Sequence, residues 1–170
     1  MSIGENASSH RKGTTVMELD WYITGLVDGE GCFMVSFNLR SGLNTGIEVR
    51  PSFSVSQNKR NLEVIKTLQK FFNCGGIRFD KHDQTYKFEV RSIDDLMKKV
   101  IPHFEKFPLK TTKSADFRIF QEICQAVNKN FHRSNKYLPD IIKKAYGMNA
   151  SGRGKYTQDF LLKRLNEMKR

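Results

Sequence analysis

The chain has 170 residues, with 29 Lys and Arg against 18 Asp and Glu, a formal charge of +11. A 38% apolar fraction with 13 Phe is too rich for a disordered basic tail, so the chain is expected to fold as a single domain. No apolar run long enough to span a membrane and no export signal core are present, and the scattered Cys32, Cys74 and Cys124 argue for reduced thiols inside the cell.

Residues 1–14 are polar and read as a flexible leader to one domain over 15–170, with its core in 17–127 and helices and a basic loop in 137–170. Thr15-Val-Met-Glu18 fits a capping box, and the helix after it carries Ile23, Leu26 and Val27 on one face. Tyr22, Gly25 and Gly29 lie on a different face, where two glycines four apart admit a second backbone. After Gly31 the period changes to two. Phe33, Val35, Phe37 and Leu39 alternate with Met34, Ser36, Asn38 and Arg40.

A turn over 41–46 leads to a second strand through Gln57, where Pro51 marks an edge position or a bulge. Residues 61–72 read as a helix closed by Cys74-Gly-Gly76, followed by a hairpin of 77–80 and 85–91. Ile77, Phe79, Tyr86, Phe88 and Val90 are expected inward. Ser92 caps a helix through Phe104 that Pro102 weakens, and 114–127, 138–146 and 157–168 complete the helical set. The order predicts an α+β fold: a motif helix, then an antiparallel four-stranded sheet with helices packed on one face.

The outward residues of the strands are Met34, Ser36, Asn38, Arg40, Glu48, Arg50, Ser52, Ser54 and Ser56, extended by Arg78, Asp80, Thr85, Lys87 and Arg91 on the hairpin. Such polar side chains can address base edges and phosphates, and a positive excess makes a polyanion the default partner. Arg153 and Lys155 form a basic loop suited to phosphate contact, although a merely solvated loop is the equal alternative. Four scattered histidines show no metal-ligand spacing. Asp80 with Glu89-Val-Arg91 has the ordinary spacing of a hairpin rather than that of a nuclease triad.

Asp28 and Glu30 end the first helix, where acids oppose the macrodipole unless a cation is near. The string Ile23-Thr-Gly-Leu-Val-Asp-Gly-Glu-Gly31 resembles the motif of the LAGLIDADG homing endonucleases. Phe53-Ser-Val-Ser-Gln57, the stretch from Phe104 to Phe117 and Ala145-Tyr-Gly-Met-Asn149 extend that resemblance over roughly residues 17–150.

What the resemblance implies is a saddle-shaped DNA-binding sheet and metal-dependent cleavage of the phosphodiester backbone. Glu30 would hold a divalent ion, Mg²⁺ or Mn²⁺, with a backbone carbonyl beside Gly31, that of Gly29, as a further ligand. Gln57 would organise water. Lys110 would stabilise developing charge, with Lys113 the competing candidate. The basic position after Gln57 falls on Asn61, with Arg60 as its substitute. One motif supplies one acid, so a homodimer packed through Tyr22, Gly25 and Gly29 is expected on double-stranded DNA with a pseudo-palindromic site. The alternative is an intron-RNA maturase or a non-cleaving DNA-binding module. An intracellular, organellar setting, chloroplast or mitochondrion, follows from the resemblance alone.

Overall fold

The computed structural model describes residues 7–148 and 154–167. In order these form α1 (Ala7–Glu30), β1 (Gly31–Leu39), β2 (Ile47–Asn58), a 3₁₀ turn (Lys59–Asn61), α2 (Leu62–Phe72), β3 (Gly76–Asp80) and β4 (Thr85–Val90). Then come α3 (Ile93–Asp95), a π-helical turn (Leu96–Val100), α4 (Ile101–Lys106), α5 (Lys113–Asn128), a 3₁₀ turn (Phe131–Arg133), α6 (Leu138–Tyr146) and α7 (Gln158–Glu167). The first helix therefore does not start at Thr15. It begins at Ala7, leaving Thr15 inside the helix rather than at a cap.

The strands make one antiparallel sheet in the order β1-β2-β4-β3. β2 pairs with β1 along Ile47–Val55 but meets β4 only from Phe53 onward, so Pro51 lies where β2 has a single neighbour. A residue without an N–H is tolerated there because no second ladder needs it. Pro102 is accommodated similarly: the π turn precedes it, leaving Pro102 in the first turn of α4, where its missing donor opens no intrahelical bond. Ser92 caps α3 as expected, its hydroxyl accepting from the Asp95 N–H at 3.3 Å.

Alternation along the strands sends one face into a phenylalanine core. Phe33 and Phe53 stack at 5.3 Å, Phe53 meets Phe104 at 5.8 Å, and Phe33 meets Phe120 at 5.2 Å, tying the sheet to α4 and α5. Phe53 is fully buried, so its loss to Ala removes about 3–5 kcal/mol. Phe79, expected inward, is instead 37% exposed and rests on Tyr86 at the far end of the hairpin.

Two glycines are required by their surroundings. Gly75 has φ +76°, and a Cβ there would lie 2.6 Å from Phe88. A Cβ on Gly31 would lie 2.5 Å from Val27 Cγ1, so only glycine lets β1 fold straight back from the last turn of α1. That corner holds Glu30.

Candidate functional site

α1 is anchored by Ile23 and Val27, both fully buried, and by Thr24 beneath the sheet's helical layer. The Thr24 hydroxyl donates to the Phe107 carbonyl at 3.1 Å and lies 3.2 Å from His103 Nε2. Burial holds the His103 imidazole well down, at about 4, against the opposing charge of Asp20.

The two acids of the motif separate in role. Asp28 accepts from the Lys110 N–H at 2.7 Å, the Thr111 N–H at 3.3 Å and the Thr111 hydroxyl at 2.7 Å. Desolvation pushes its carboxyl up, but these hydrogen bonds and the Lys113 charge outweigh it and hold the pKa below the ordinary value. Asp28 thus fastens the end of α1 to the connector before α5. Glu30 is exposed and has no side-chain partner among the described residues.

The connector also separates the two candidate lysines. With its N–H on Asp28, Lys110 turns its ammonium over the Trp21 ring, 5.8 Å from the centroid. Lys113 reaches the corner instead: its Nζ donates to the carbonyls of Val27 at 3.0 Å, Gly29 at 3.5 Å and Gly31 at 2.5 Å. A cation thereby meets the carbonyls that a helix end leaves unsatisfied. Of the two candidate lysines, Lys113 is the one whose ammonium meets the backbone carbonyls on either side of Glu30, while Lys110 turns toward Trp21.

Gln57 comes to the same end of the sheet, since Gly31 pairs with Val55 and Gln57 lies two residues further along β2. Its Oε1 accepts from Asn61 Nδ2 at 3.0 Å, so Asn61 supports Gln57 where a basic residue was sought. Arg60 is exposed beside it. Among the described residues no group of three or more His, Cys, Asp or Glu could hold a metal. The oxygen donors here are the Glu30 carboxylate and the carbonyls of Gly29 and Gly31, which already attract one cation in Lys113 Nζ.

From this corner the outer sheet face extends. Met34, Arg40, Arg50, Ser56 and Arg78 are exposed on it, with Ser36, Asn38, Glu48, Thr85 and Lys87 partly so. Ser52 and Ser54 share the face by register but are each only 4% exposed, because longer neighbours shade their small side chains. Ser52 floors a shallow recess walled by Met34, Ser36, Asn38, Arg50 and Arg91. Arg91, expected on this face with Arg78 and Lys87, is exposed just beyond the end of β4 and lines the recess. Asp80 is spent on its own turn, accepting from the His82 N–H at 2.9 Å. Lys155 is exposed with its ammonium over Tyr156, and Arg153 lies outside the described residues.

The exposed side of α1 is unlike a solvated helix face. Met17 is 54% exposed, Trp21 42% and Tyr22 51%, and a Cβ at Gly25 or Gly29 would meet nothing within 4 Å. Nothing among the described residues explains glycine at either position.

A family model described as LAGLIDADG endonuclease matches residues 23–124. Probable intron-encoded endonuclease 2 of Neurospora crassa is 31% identical over 147 residues, covering 82% of this chain and 32% of that protein. A crystal structure of a homing endonuclease, I-TnaI, matches with a TM-score of 0.77 at 36% identity, over 88% of this chain and 97% of that one. The archaeal intron-encoded homing endonuclease I-Vdi141I, complexed with DNA, matches at 0.82 with 25% identity, over 89% and 96% respectively. The chain spans only 24% to 32% of the length of the first curated relatives it matches.

Proposed function

The chain belongs to the LAGLIDADG endonuclease family, and from that membership we propose that it is a site-specific endonuclease cutting both strands of duplex DNA as a homodimer. The observation that carries this reading is Glu30, exposed and without a side-chain partner among the described residues, at the corner between α1 and β1 whose flanking carbonyls meet Lys113, at the edge of a cation-rich sheet face. A similar chain of comparable length was solved with DNA bound, which supports duplex DNA as the partner.

The donor set suits a divalent ion. Mg²⁺ takes one or two carboxylates and completes its shell with water and substrate phosphate oxygens, and Glu30 with the Gly29 carbonyl offers hard oxygens of that kind. Such an ion, when bound, polarises the phosphate and acidifies water. The residues of the chain supply the remainder. Lys113 brings positive charge to the carbonyls flanking Glu30, and its proposed role is to offset the charge that develops on the departing oxygen; that of Gln57, held by Asn61, is to orient a water. The Asp28 clasp holds the corner still while this happens.

One chain provides one such corner, and two strands require two. The exposed face of α1, with Tyr22, Gly25 and Gly29 bare, suits the same face of a second copy about a two-fold axis. Relatives named for introns support an intron-encoded origin in an organelle. The deciding experiment incubates the full chain with a randomised duplex pool and Mg²⁺ and sequences the cleaved ends. One enriched, near-palindromic site cut on both strands is expected. A chain that enriches a site by binding yet cuts nothing is the non-cleaving module instead.

A further inference from the structure

On the outer sheet face a carboxylate sits beneath arginines rather than among solvated charges. Glu48 has a side chain 19% exposed, while Arg40 and Arg50 above it are 62% and 50% exposed. Its Oε1 accepts from Arg40 Nη1 at 2.8 Å and from Arg50 Nη2 at 3.1 Å, and its Oε2 faces Arg50 Nε at 2.9 Å. These contacts hold its acid: desolvation raises the carboxyl pKa, and the bonds and charges of Arg50 and Arg40 bring it below the ordinary value.

The atoms used matter more than the ion pair itself. Glu48 grips Arg50 along the Nε–Nη2 edge, and Nη1 has no partner among the described residues. The guanidinium is therefore fixed in its plane with its Nη1–Nη2 end turned away from the carboxylate. Two parallel N–H donors at that end match the O6 and N7 acceptors of guanine in the major groove. Arg50 also lines the recess floored by Ser52, so this arginine borders a concavity of the sheet face. A looser pair lies at the end of β4, where Glu89, 16% exposed, meets Arg91 through Nη2 alone at 2.8 Å, and Arg91 also lines that recess.

An acid on a DNA-facing surface is otherwise a liability, since it repels phosphate and weakens binding to every sequence alike. Its position beneath the arginines gives it a different effect. We propose that Glu48 is a positioning residue for specificity, orienting Arg50 to read a guanine in each half-site, and does not itself contact a base. The inference rests on the DNA-cleaving reading and names a base class at one point of the target.

The experiment uses the full chain and the site it enriches from a randomised duplex pool. Binding is then measured on that site, on its three single-base variants at each guanine, and on a scrambled duplex. Arg50→Ala is expected to lower the preference for one guanine by tenfold or more. Glu48→Ala and Glu48→Gln are expected to lose most of that same preference while affinity for the scrambled duplex rises, because a repelling charge is gone. The opposed directions separate orientation from simple destabilisation, which would weaken both. If Glu48→Ala keeps the guanine preference, or no guanine responds to Arg50→Ala, the proposal falls although the cleaved site still upholds the endonuclease reading. If the wild-type chain enriches no site, that reading falls and takes the proposal with it.

Discussion

The Lys113 ammonium donates to the Gly31 carbonyl at 2.5 Å, so the first residue of β1 and the first residue of α5 meet at the end of the motif helix. This contact favours Lys113 over Lys110 for the corner. Lys113→Met is expected to slow cleavage of the selected site by on the order of 10²-fold or more, and to lower stability by about 1–2 kcal/mol through the lost carbonyl bonds. Lys110→Ala should leave the single-turnover rate near wild type. Comparable losses in both variants would show that Lys110 swings into the corner when DNA binds.

Glu30 has no structural partner among the described residues, so Glu30→Gln should fold with unchanged thermal stability and bind the selected site about as tightly as wild type. Cleavage in Mg²⁺ should vanish. Residual nicking of either strand by purified Glu30→Gln would move the acid elsewhere.

Gly25 faces open space in a single chain, so Gly25→Leu meets no internal clash and gains helix propensity. The expected variant keeps its far-UV spectrum and melting temperature but elutes with the mass of one chain where the wild type elutes with two. It should no longer make double-strand breaks. A dimeric Gly25→Leu protein would place the interface on another surface.

His103 confers an acid sensitivity with a defined window. Its pKa is depressed to about 4, so below the ordinary value of 6.5 the unfolded chain takes up a proton that the folded chain refuses. Stability is fully present above about pH 6.5 and falls as the pH drops toward 4, by about 2 kcal/mol between pH 6.5 and 5. Urea melts across this range should show that slope, and His103→Gln should flatten it.

Much of this was readable in advance, for reasons that differ by element. β1 announced itself because Phe33, Val35 and Phe37 alternate cleanly with polar residues, and α6 because Leu138, Ile141 and Ile142 keep one helical face apolar. The start of α1 misled, since a capping box is a local pattern and here the helix continues upstream through it. The choice between Lys110 and Lys113 lay beyond local pattern altogether. It depends on Asp28 gripping the backbone of Lys110 and Thr111, a contact between residues more than eighty apart in the chain. The shading of Ser52 and Ser54 is likewise a property of neighbouring strands, and spacing along β2 carries no trace of it.

The phenylalanine cluster behind the sheet has a bearing on how such a protein can be altered. Phe33, Phe53, Phe72 and Phe88 hold the strands from the rear without calling on Ser36, Asn38, Arg50 or Arg91. Those front-facing positions can therefore be exchanged in combination without disturbing the core, and under the proposed function such exchanges would change the site recognised. The scaffold and the corner that holds Glu30 would stay in place, which makes variation of the front face a separable problem from keeping the fold intact.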